Sequence, residues 1–194
     1  GGMKRVALLS VVAFVCSLSV VVVAQADDRI ERLEKGEVII SSKNKKGFNA
    51  PEVKATGLIK APPAKVWALI EKCADYSKYM PRTLESEELS RKGNKVRCRV
   101  KIDMPFPIGD LNVVSDAVHT TKGGVYKRAW KGVKGDLKVN IGSWTLKPYA
   151  DGKHTVAIYK VISEPKIAIP DSIRAMAQRS TLPKLFTALR KKLE

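Results

Sequence analysis

The chain has 194 residues and a formal net charge of +17, and 44% of its residues are hydrophobic. This length is close to that of one ordinary domain and is sufficient to bury a sizeable core, so we expect a single domain. The excess of Lys and Arg predicts attraction to polyanions, of which anionic lipid surfaces and nucleic acids are the obvious two. The alternative is that these side chains, which are spread along every segment, only keep the protein soluble.

The N-terminal 26 residues have the pattern of a secretory signal peptide. Lys4 and Arg5 precede an apolar run over residues 6–23, which is followed by the small-x-small sequence of residues 24–26. We expect cleavage after Ala26, which leaves about 168 residues with a charge of about +15. The alternative is an uncleaved anchor, because a run of this length can just span a bilayer. An exported protein does not meet nucleic acid, so the signal favours a lipid surface as the polyanion.

Two cysteines, Cys73 and Cys98, lie beyond the predicted signal. In an oxidising compartment they can form a disulfide. The sequence does not give the distance between them, so the paired and the free states both remain open.

The first part of the exported chain combines extended segments with a helical region. Residues 37–42 and 53–60 are rich in β-forming side chains. Pro62 and Pro63 end the second segment and open a helix over residues 64–73, since proline is tolerated in a first helical turn. Residues 75–81 predict a second, short helical turn that a proline ends.

Between residues 84 and 164 the apolar side chains recur with a period of two, which predicts antiparallel strands joined by hairpins. Residues 96–104 alternate apolar with charged side chains, so this strand has one apolar and one charged face. Further strands are predicted at residues 111–119, 125–131, 137–149 and 155–163.

A long C-terminal helix is predicted over residues 171–192, with a bend at Pro183. It would be about 34 Å long, which is sufficient to cross a sheet. An antiparallel sheet must cover its apolar face, so we expect the sheet to curl around this helix. The space between them is either a ligand cavity or a packed core, and periodicity does not decide between the two.

The order of elements, together with several short phrases, resembles the START-like superfamily, also called SRPBCC or helix-grip proteins. The phrases are APPAKVWALI at 61–70, DY at 75–76 with YMP at 79–81, GSWTL at 142–146, EP at 164–165 and IP at 169–170. The chain is similar in particular to the bacterial polyketide cyclase/dehydrase and lipid-transport branch, whose relatives include coenzyme Q-binding proteins.

The resemblance covers residues 50–192. It implies an α+β helix-grip fold, with a curved antiparallel sheet of about six to seven strands around a long C-terminal helix. It also implies a hydrophobic tunnel for sterols, phospholipids, fatty acids, quinones or polyketides. The export signal disfavours polyketide tailoring and favours lipid traffic in a cell envelope.

The predicted domain organisation has three parts. Residues 1–26 are the signal peptide, in which Gly1 and Gly2 precede the only plausible initiator, Met3, and are taken as foreign to the natural chain. Residues 27–50 are an N-terminal extension with the first strand region. Residues 51–194 are the START-like ligand-binding domain.

Candidate ligand-binding residues lie on the last strands, the C-terminal helix and one turn. The predicted pocket wall consists of Trp144, Leu146, Tyr159, Val161, Ile173 and Met176, and core packing is the alternative for each. Met104, Phe106 and Ile108 are predicted at the mouth, because core packing does not explain apolar side chains on a turn. Trp130 either lines the cavity or lies on the sheet exterior.

Residues suited to chemistry are scarce. His119 and His154 are far apart, and no Cys or carboxylate lies at ligand spacing from them, so we predict no metal, no cofactor and no catalytic residue. Asp116 and Arg128 either anchor a lipid headgroup or belong to a solvated strand face.

We therefore predict a periplasmic or secreted monomer that binds and transports a lipid, sterol, fatty acid or quinone. We expect transient contact with an anionic membrane surface, no binding to nucleic acid and no enzymatic activity. The alternatives are a cyclase or hydrolase acting on a hydrophobic substrate, and a protein-interaction module of the same fold.

Overall fold

The computed structural model describes residues 28–194, which fall into two compact units divided after Glu37. In the first unit, residues 28–34 form a helix, α1, and an ion pair joins Lys35 Nζ to Glu31 Oε1 at 2.6 Å. The predicted signal peptide lies outside the described residues. Within residues 28–194, no helix is long and apolar enough to cross a bilayer.

The second unit, Val38–Glu194, is built on one antiparallel sheet of eight strands, in the order β1-β2-β8-β7-β6-β5-β4-β3. The strands are β1 Ile39–Lys43, β2 Glu52–Ile59, β3 Thr83–Lys92, β4 Lys95–Ile102, β5 Leu111–Lys122, β6 Val125–Gly135, β7 Leu137–Tyr149 and β8 His154–Pro165. This confirms the α+β helix-grip fold, with one strand more than the predicted six to seven.

Two sets of helices accompany the sheet. Between β2 and β3 lie α2, Pro63–Ile70, and a 3₁₀ helix, Cys73–Lys78; after β8 come α3, Asp171–Met176, a π-helical turn, Ala177–Thr181, and α4, Leu182–Leu193. The single helix predicted over residues 171–192 is thus three consecutive helical stretches. Pro183 lies in the first turn of α4 and has no N–H to donate, so the regular i→i−4 ladder cannot run through it and the backbone widens just before it.

The C-terminal helix α4 lies directly against strand β2. A Cβ atom built on Gly57 would be only 2.5 Å from the Phe186 ring, so only glycine allows this approach. Phe186 and Leu189 are fully buried. The Arg190 guanidinium then donates two hydrogen bonds to the Leu58 carbonyl oxygen, at 2.9 and 2.8 Å, and fixes the C-terminal half of the helix to the sheet.

A disulfide between Cys73 and Cys98 joins the 3₁₀ helix to strand β4. The sequence left this pairing open. Both cysteines are buried beside Val96 and Tyr76 in a small second cluster of core residues.

Candidate ligand-binding site

Two cavities lie between the inner face of the sheet and the C-terminal helices. The first, which we call the outer cavity, has a volume of about 210 Å³. It is lined by Ala50, Pro51, Val53, Met104, Val161, Ser163, Pro165, Ile169, Ile173, Arg174, Ala177, Thr181 and Leu182. The second, which we call the inner cavity, has a volume of about 160 Å³. It is lined by Tyr76, Met80, Thr83, Cys98, Val100, Ile102, Ser115, Arg128, Trp130, Asn140, Trp144, Tyr159 and Leu185.

The two cavities adjoin along shared elements. Tyr159 lines the inner cavity and Val161 the outer one, and residues two apart on a strand face the same side about 7 Å from each other. On α4, Leu182 and Leu185 line the outer and the inner cavity, less than one helical turn apart. Each volume is below the range of about 300–1,000 Å³ that ligand pockets span, and the two together reach its lower end.

Six of the ten predicted site residues line these cavities. Trp130, Trp144 and Tyr159 line the inner cavity, and Met104, Val161 and Ile173 line the outer one. The structure thereby decides the position of Trp130, which the sequence left open: it lies on the inner face of the sheet.

The other four predicted residues line neither cavity. Leu146 is fully buried in the hydrophobic core, so core packing explains it. Met176 is 37% exposed and lines neither cavity, although Ile173 and Ala177 line the outer one. These two were predicted as pocket wall, and the structure places them elsewhere.

The predicted mouth residues divide in a similar way. Met104 touches the outer cavity, whereas Phe106, two residues further on, is 94% exposed, and Ile108 is half-buried. The turn that follows β4 therefore has one side chain in the cavity wall and an aromatic ring in solvent.

Aromatic rings form the floor of the inner cavity. The Tyr159 ring lies between Trp130 and Trp144, with centroid distances of 5.7 and 4.9 Å, and Trp144 also contacts Phe186 at 5.7 Å. Trp130 Nε1 donates a hydrogen bond to Asn140 Oδ1 at 3.1 Å, which fixes the indole orientation. Burial raises the pKa of Tyr159, so its hydroxyl stays protonated at neutral pH.

The polar centre of the inner cavity is Arg128, which is 3% exposed. Its Nη1 lies 2.6 Å from His119 Nε2, and its Nη2 donates to Cys98 Sγ at 3.1 Å. Burial, and next the charge of Arg128, lower the pKa of His119 to about 4. Of the two headgroup anchors considered from the sequence, only Arg128 faces the cavity; Asp116 is exposed and forms an ion pair with Arg97 at 2.6 Å.

The alternation of side chains along strand β6 could have predicted that Arg128 faces the cavity. It is two residues before Trp130 on β6, and side chains two apart on a strand share a face. Once Trp130 is placed inside, Arg128 must be inside as well.

Two tyrosines anchor the segment after α2, and one of them, Tyr76, lines the inner cavity. The Tyr76 hydroxyl donates to the Ile70 carbonyl oxygen, and the Tyr79 hydroxyl donates to the Leu69 carbonyl oxygen at 2.8 Å. Burial raises the pKa of both hydroxyls. These bonds tie the segment after α2 to the last turn of that helix.

One buried carboxylate positions the wall of the outer cavity. Glu164 Oε1 accepts hydrogen bonds from the backbone N–H groups of Asn49, at 2.6 Å, and Ala50, at 3.1 Å. These backbone donors, with Ala50 the larger influence, lower the pKa of Glu164. Since Ala50 lines the outer cavity, Glu164 fixes the loop that forms one of its sides.

Metal-ligating side chains do not cluster in the part of the chain that the structure describes: no group of three His, Cys, Asp or Glu residues within 28–194 is suited to hold a metal ion. The arrangement offers apolar walls, aromatic rings and one buried cation.

A sequence model of the family described as polyketide cyclase / dehydrase and lipid transport matches residues 59–190. No curated protein matches the sequence significantly. Among solved structures, the chain is similar to a fragment of a STAR-related lipid transfer protein from Xanthomonas axonopodis, with a TM-score of 0.70 and 21% identity, over 80% of this chain and 92% of that one.

Two further structures have the same fold. Human StAR-related lipid transfer protein 5 has a TM-score of 0.68 and 10% identity, over 93% of this chain and 97% of that one. The Zhui aromatase/cyclase from Streptomyces sp. R1128 has a TM-score of 0.60 and 18% identity, over 73% and 92%. At these identities the similarity shows the fold alone.

Proposed function

The chain belongs to the polyketide cyclase / dehydrase and lipid transport family, and on that basis we propose that it binds one hydrophobic molecule and carries it between membrane surfaces of a cell envelope. The candidate ligands are lipids, sterols, fatty acids and quinones. The observation that carries this proposal is the pair of adjoining cavities beneath the C-terminal helices. The outer cavity has a mainly apolar wall, and the inner cavity combines apolar and aromatic side chains with a few polar groups.

Apolar burial alone supplies sufficient affinity for such a ligand. Each buried methylene contributes about 0.8 kcal/mol, so about ten of them give a gross gain on the order of 8 kcal/mol. A gain of that size corresponds to a micromolar dissociation constant before the costs of association are subtracted. No catalytic group is needed for this function.

The first test measures ligand binding directly. The purified chain is analysed by native mass spectrometry for a co-purified molecule, then delipidated and titrated with a fluorescent fatty acid. Val161→Trp places a large ring in the outer cavity and should reduce binding at least tenfold. Val118→Trp is the matched control, since Val118 is 40% exposed on β5 and its replacement should leave binding unchanged.

A protein that carries no ligand and binds no fluorescent fatty acid would refute the proposal. Equal binding by the wild type and Val161→Trp would place the site outside these cavities.

Exchange requires one side of the cavity to open, and α3 is suited to this. It has only six residues and no buried side chain, and a π-helical turn separates it from α4. Segments with few buried contacts open at low free-energy cost. Ile173 and Ala177 cover the outer cavity, so an outward movement of this segment would expose the ligand.

Contact with a membrane would begin at the turn after β4. Phe106 is 94% exposed, and large exposed aromatic rings are typical of surfaces that meet lipids or partners. The charge of about +15 that remains after the proposed cleavage favours approach to anionic headgroups. We expect Phe106→Asp to slow ligand transfer to vesicles that contain anionic lipid while equilibrium binding in solution is retained.

Leu84→Asp is the control, because Leu84 is 50% exposed on β3, outside both cavities. If the two variants transfer ligand at the same rate, Phe106 has no part in membrane contact.

Export through a cleaved signal peptide belongs to the same proposal, as does a monomeric state. The signal pattern of residues 1–26 supports export, and so does the disulfide between Cys73 and Cys98, because disulfides persist mainly in oxidising compartments. Intact-mass analysis of the protein from the periplasm or medium should give a chain that begins at Asp27. A mass that retains residues 6–23 would contradict cleavage.

A second candidate is catalysis on an aromatic or other hydrophobic substrate. The family includes cyclases by its description, and the inner cavity places the Tyr159 hydroxyl and Arg128 among aromatic rings. The two candidates differ in what leaves the cavity. A bound molecule that is recovered chemically unchanged after long incubation favours a carrier, whereas recovery of a cyclised or hydrolysed product favours an enzyme.

A further inference from the structure

The inner cavity contains a buried cation. Among the described residues that line it, Arg128 is the only one with a charged side chain, and it is 3% exposed. Strand pairing places it opposite Trp144 on β7, and its guanidinium faces the Tyr76 ring, so aromatic side chains lie beside it. A cation in such surroundings is strongly unfavourable unless an anion pairs with it.

The partners that Arg128 has within residues 28–194 are all uncharged. Arg128 Nη1 lies 2.6 Å from His119 Nε2, and since a guanidinium cannot accept a hydrogen bond, that imidazole nitrogen is the acceptor. Arg128 Nη2 donates to the disulfide sulfur of Cys98 at 3.1 Å. The Tyr76 ring faces the guanidinium, with 5.8 Å from Cζ to the ring centroid.

Glu88, a carboxylate whose pKa the charge of Arg128 helps to lower, is already paired with another arginine. Glu88 on β3 accepts hydrogen bonds from Arg91 Nε and Nη2, at 2.8 and 2.7 Å, and these bonds lower its pKa. Its ion pair is with Arg91, and no carboxylate among the described residues forms an ion pair with Arg128.

We propose that the ligand supplies the missing negative charge, and that it is a fatty acid or another single-chain monocarboxylate held with its carboxylate against Arg128. This inference rests on the proposed function and specifies its ligand class. A guanidinium has five N–H donors, of which the two bonds described use two, so three remain for carboxylate oxygens.

Charge matching favours a carboxylate over a phosphate monoester. One cation balances one carboxylate charge, whereas a phosphate monoester carries nearly two negative charges at neutral pH. The inner cavity has no second cation among the described residues that line it. The Ser115 and Thr83 hydroxyls, which also line it, can donate to the carboxylate without adding charge.

The position of Arg128 also fixes the direction of the ligand. The carboxylate lies in the inner cavity, and the hydrocarbon tail extends past Tyr159 and Val161 into the outer cavity. The outer cavity has one charged residue in its lining, Arg174, which is exposed, so the tail meets an otherwise uncharged surface.

The test compares three ligands with the same sixteen-carbon chain: palmitate, hexadecanol and hexadecyl phosphate. Affinities are measured with the delipidated chain by displacement of a fluorescent probe. Palmitate should bind about tenfold or more tightly than hexadecanol. A hydrogen bond between charged groups contributes more free energy than a neutral one, and the difference corresponds to about this factor in the dissociation constant. This comparison uses the wild type and therefore does not depend on a variant that folds.

Two variants then assign the preference to one residue. Arg128→Met should remove the preference for palmitate over hexadecanol, while Arg128→Lys should retain part of it. Arg97→Met is the matched control, since Arg97 is exposed on β4 and forms an ion pair with Asp116, and it should keep the wild-type preference.

The outcomes separate this inference from the proposed function. Equal affinity of the wild type for palmitate and hexadecanol would overturn the carboxylate inference and leave the hydrophobic-ligand proposal intact. Tighter binding of hexadecyl phosphate than of palmitate would also overturn it. Failure to bind any of the three molecules while a fluorescent probe still binds would overturn the carboxylate inference alone, whereas failure to bind the probe as well would contradict the proposed function itself.

Discussion

Gly57 on β2 holds the C-terminal helix at its observed distance from the sheet. A Cβ atom at this position would lie 2.5 and 2.8 Å from two atoms of the Phe186 ring, and ordinary van der Waals contact begins at 3.4 Å. In Gly57→Ala the ring must therefore retreat by about 1 Å, although it is fully buried. Such overpacking costs about 1–3 kcal/mol of unfolding free energy.

The expected effect has the opposite sign to that of an unhindered substitution. In a strand without a clash, Ala is more stable than Gly by about 0.5–1 kcal/mol. We expect Gly57→Ala to lower the unfolding free energy in urea by about 1–3 kcal/mol and the Tm by about 2–10 °C. Because Leu185, the neighbour of Phe186, lines the inner cavity, ligand affinity should fall as well.

A double-mutant cycle isolates the contact. Phe186→Leu alone should cost about 1–2 kcal/mol, and in that background Gly57→Ala should cost at least about 1 kcal/mol less than in the wild type. Unchanged or increased stability of Gly57→Ala would show that α4 does not lie against β2 as described. Additive effects of the two substitutions would show that the ring is not what opposes the methyl group.

Two further predictions concern the ends of the site. Replacing both Cys73 and Cys98 by Ala should lower the unfolding free energy by about 3 kcal/mol, since the disulfide closes a loop with a sequence separation of 25. Urea unfolding with and without reductant measures this loss. If reductant does not change the stability of the wild type, the disulfide does not form. Glu164→Gln should lower the Tm at pH 7. In the folded state the pKa of Glu164 is below its ordinary value of 4.5, so the ionised carboxylate stabilises the fold at pH values above 4.5. This contribution is lost as the pH falls through the pKa of the folded state. The difference in Tm from the wild type should therefore narrow below pH 4.5, and a difference that is constant with pH would contradict this role.

Strand β7 and strand β3 show what sequence patterns can predict in this fold. The predicted strand at residues 137–149 coincides with β7, Leu137–Tyr149, because turn-forming residues flank a long β-rich run. Strand β3 was not predicted as a separate strand, since its ten residues, TLESEELSRK, include no apolar face. As an edge strand it forms cross-strand ion pairs, such as those of Arg99 with Glu85 and Glu87 at 3.2 and 3.0 Å. The periodicity of one strand does not show which residues of a neighbouring strand it pairs with.

In the candidate site, too, strand alternation predicts which face a side chain lies on but not what that side chain contacts. The alternation on β8 correctly placed Tyr159 and Val161 on one face, because side chains two apart on a strand point the same way. Alternation alone could not separate cavity wall from core, which is why Leu146 was assigned to the wall although it is fully buried. Met176 was assigned to the wall from its helical spacing to Ile173. That spacing does not give how far the wall extends around α3, where Met176 is 37% exposed.

The two ends of the site differ in how firmly they are held, and this difference determines how a ligand can enter. The inner end is tied by the disulfide between Cys73 and Cys98 and by the Tyr76 and Tyr79 hydroxyl bonds. The outer end is covered by α3, which buries none of its own side chains. Opening therefore costs least at the outer end, so a carboxylate that reaches Arg128 must enter first and the tail must follow. We therefore expect the proposed ligand to leave tail first, with its hydrocarbon chain emerging beside α3 if the protein releases it at a membrane.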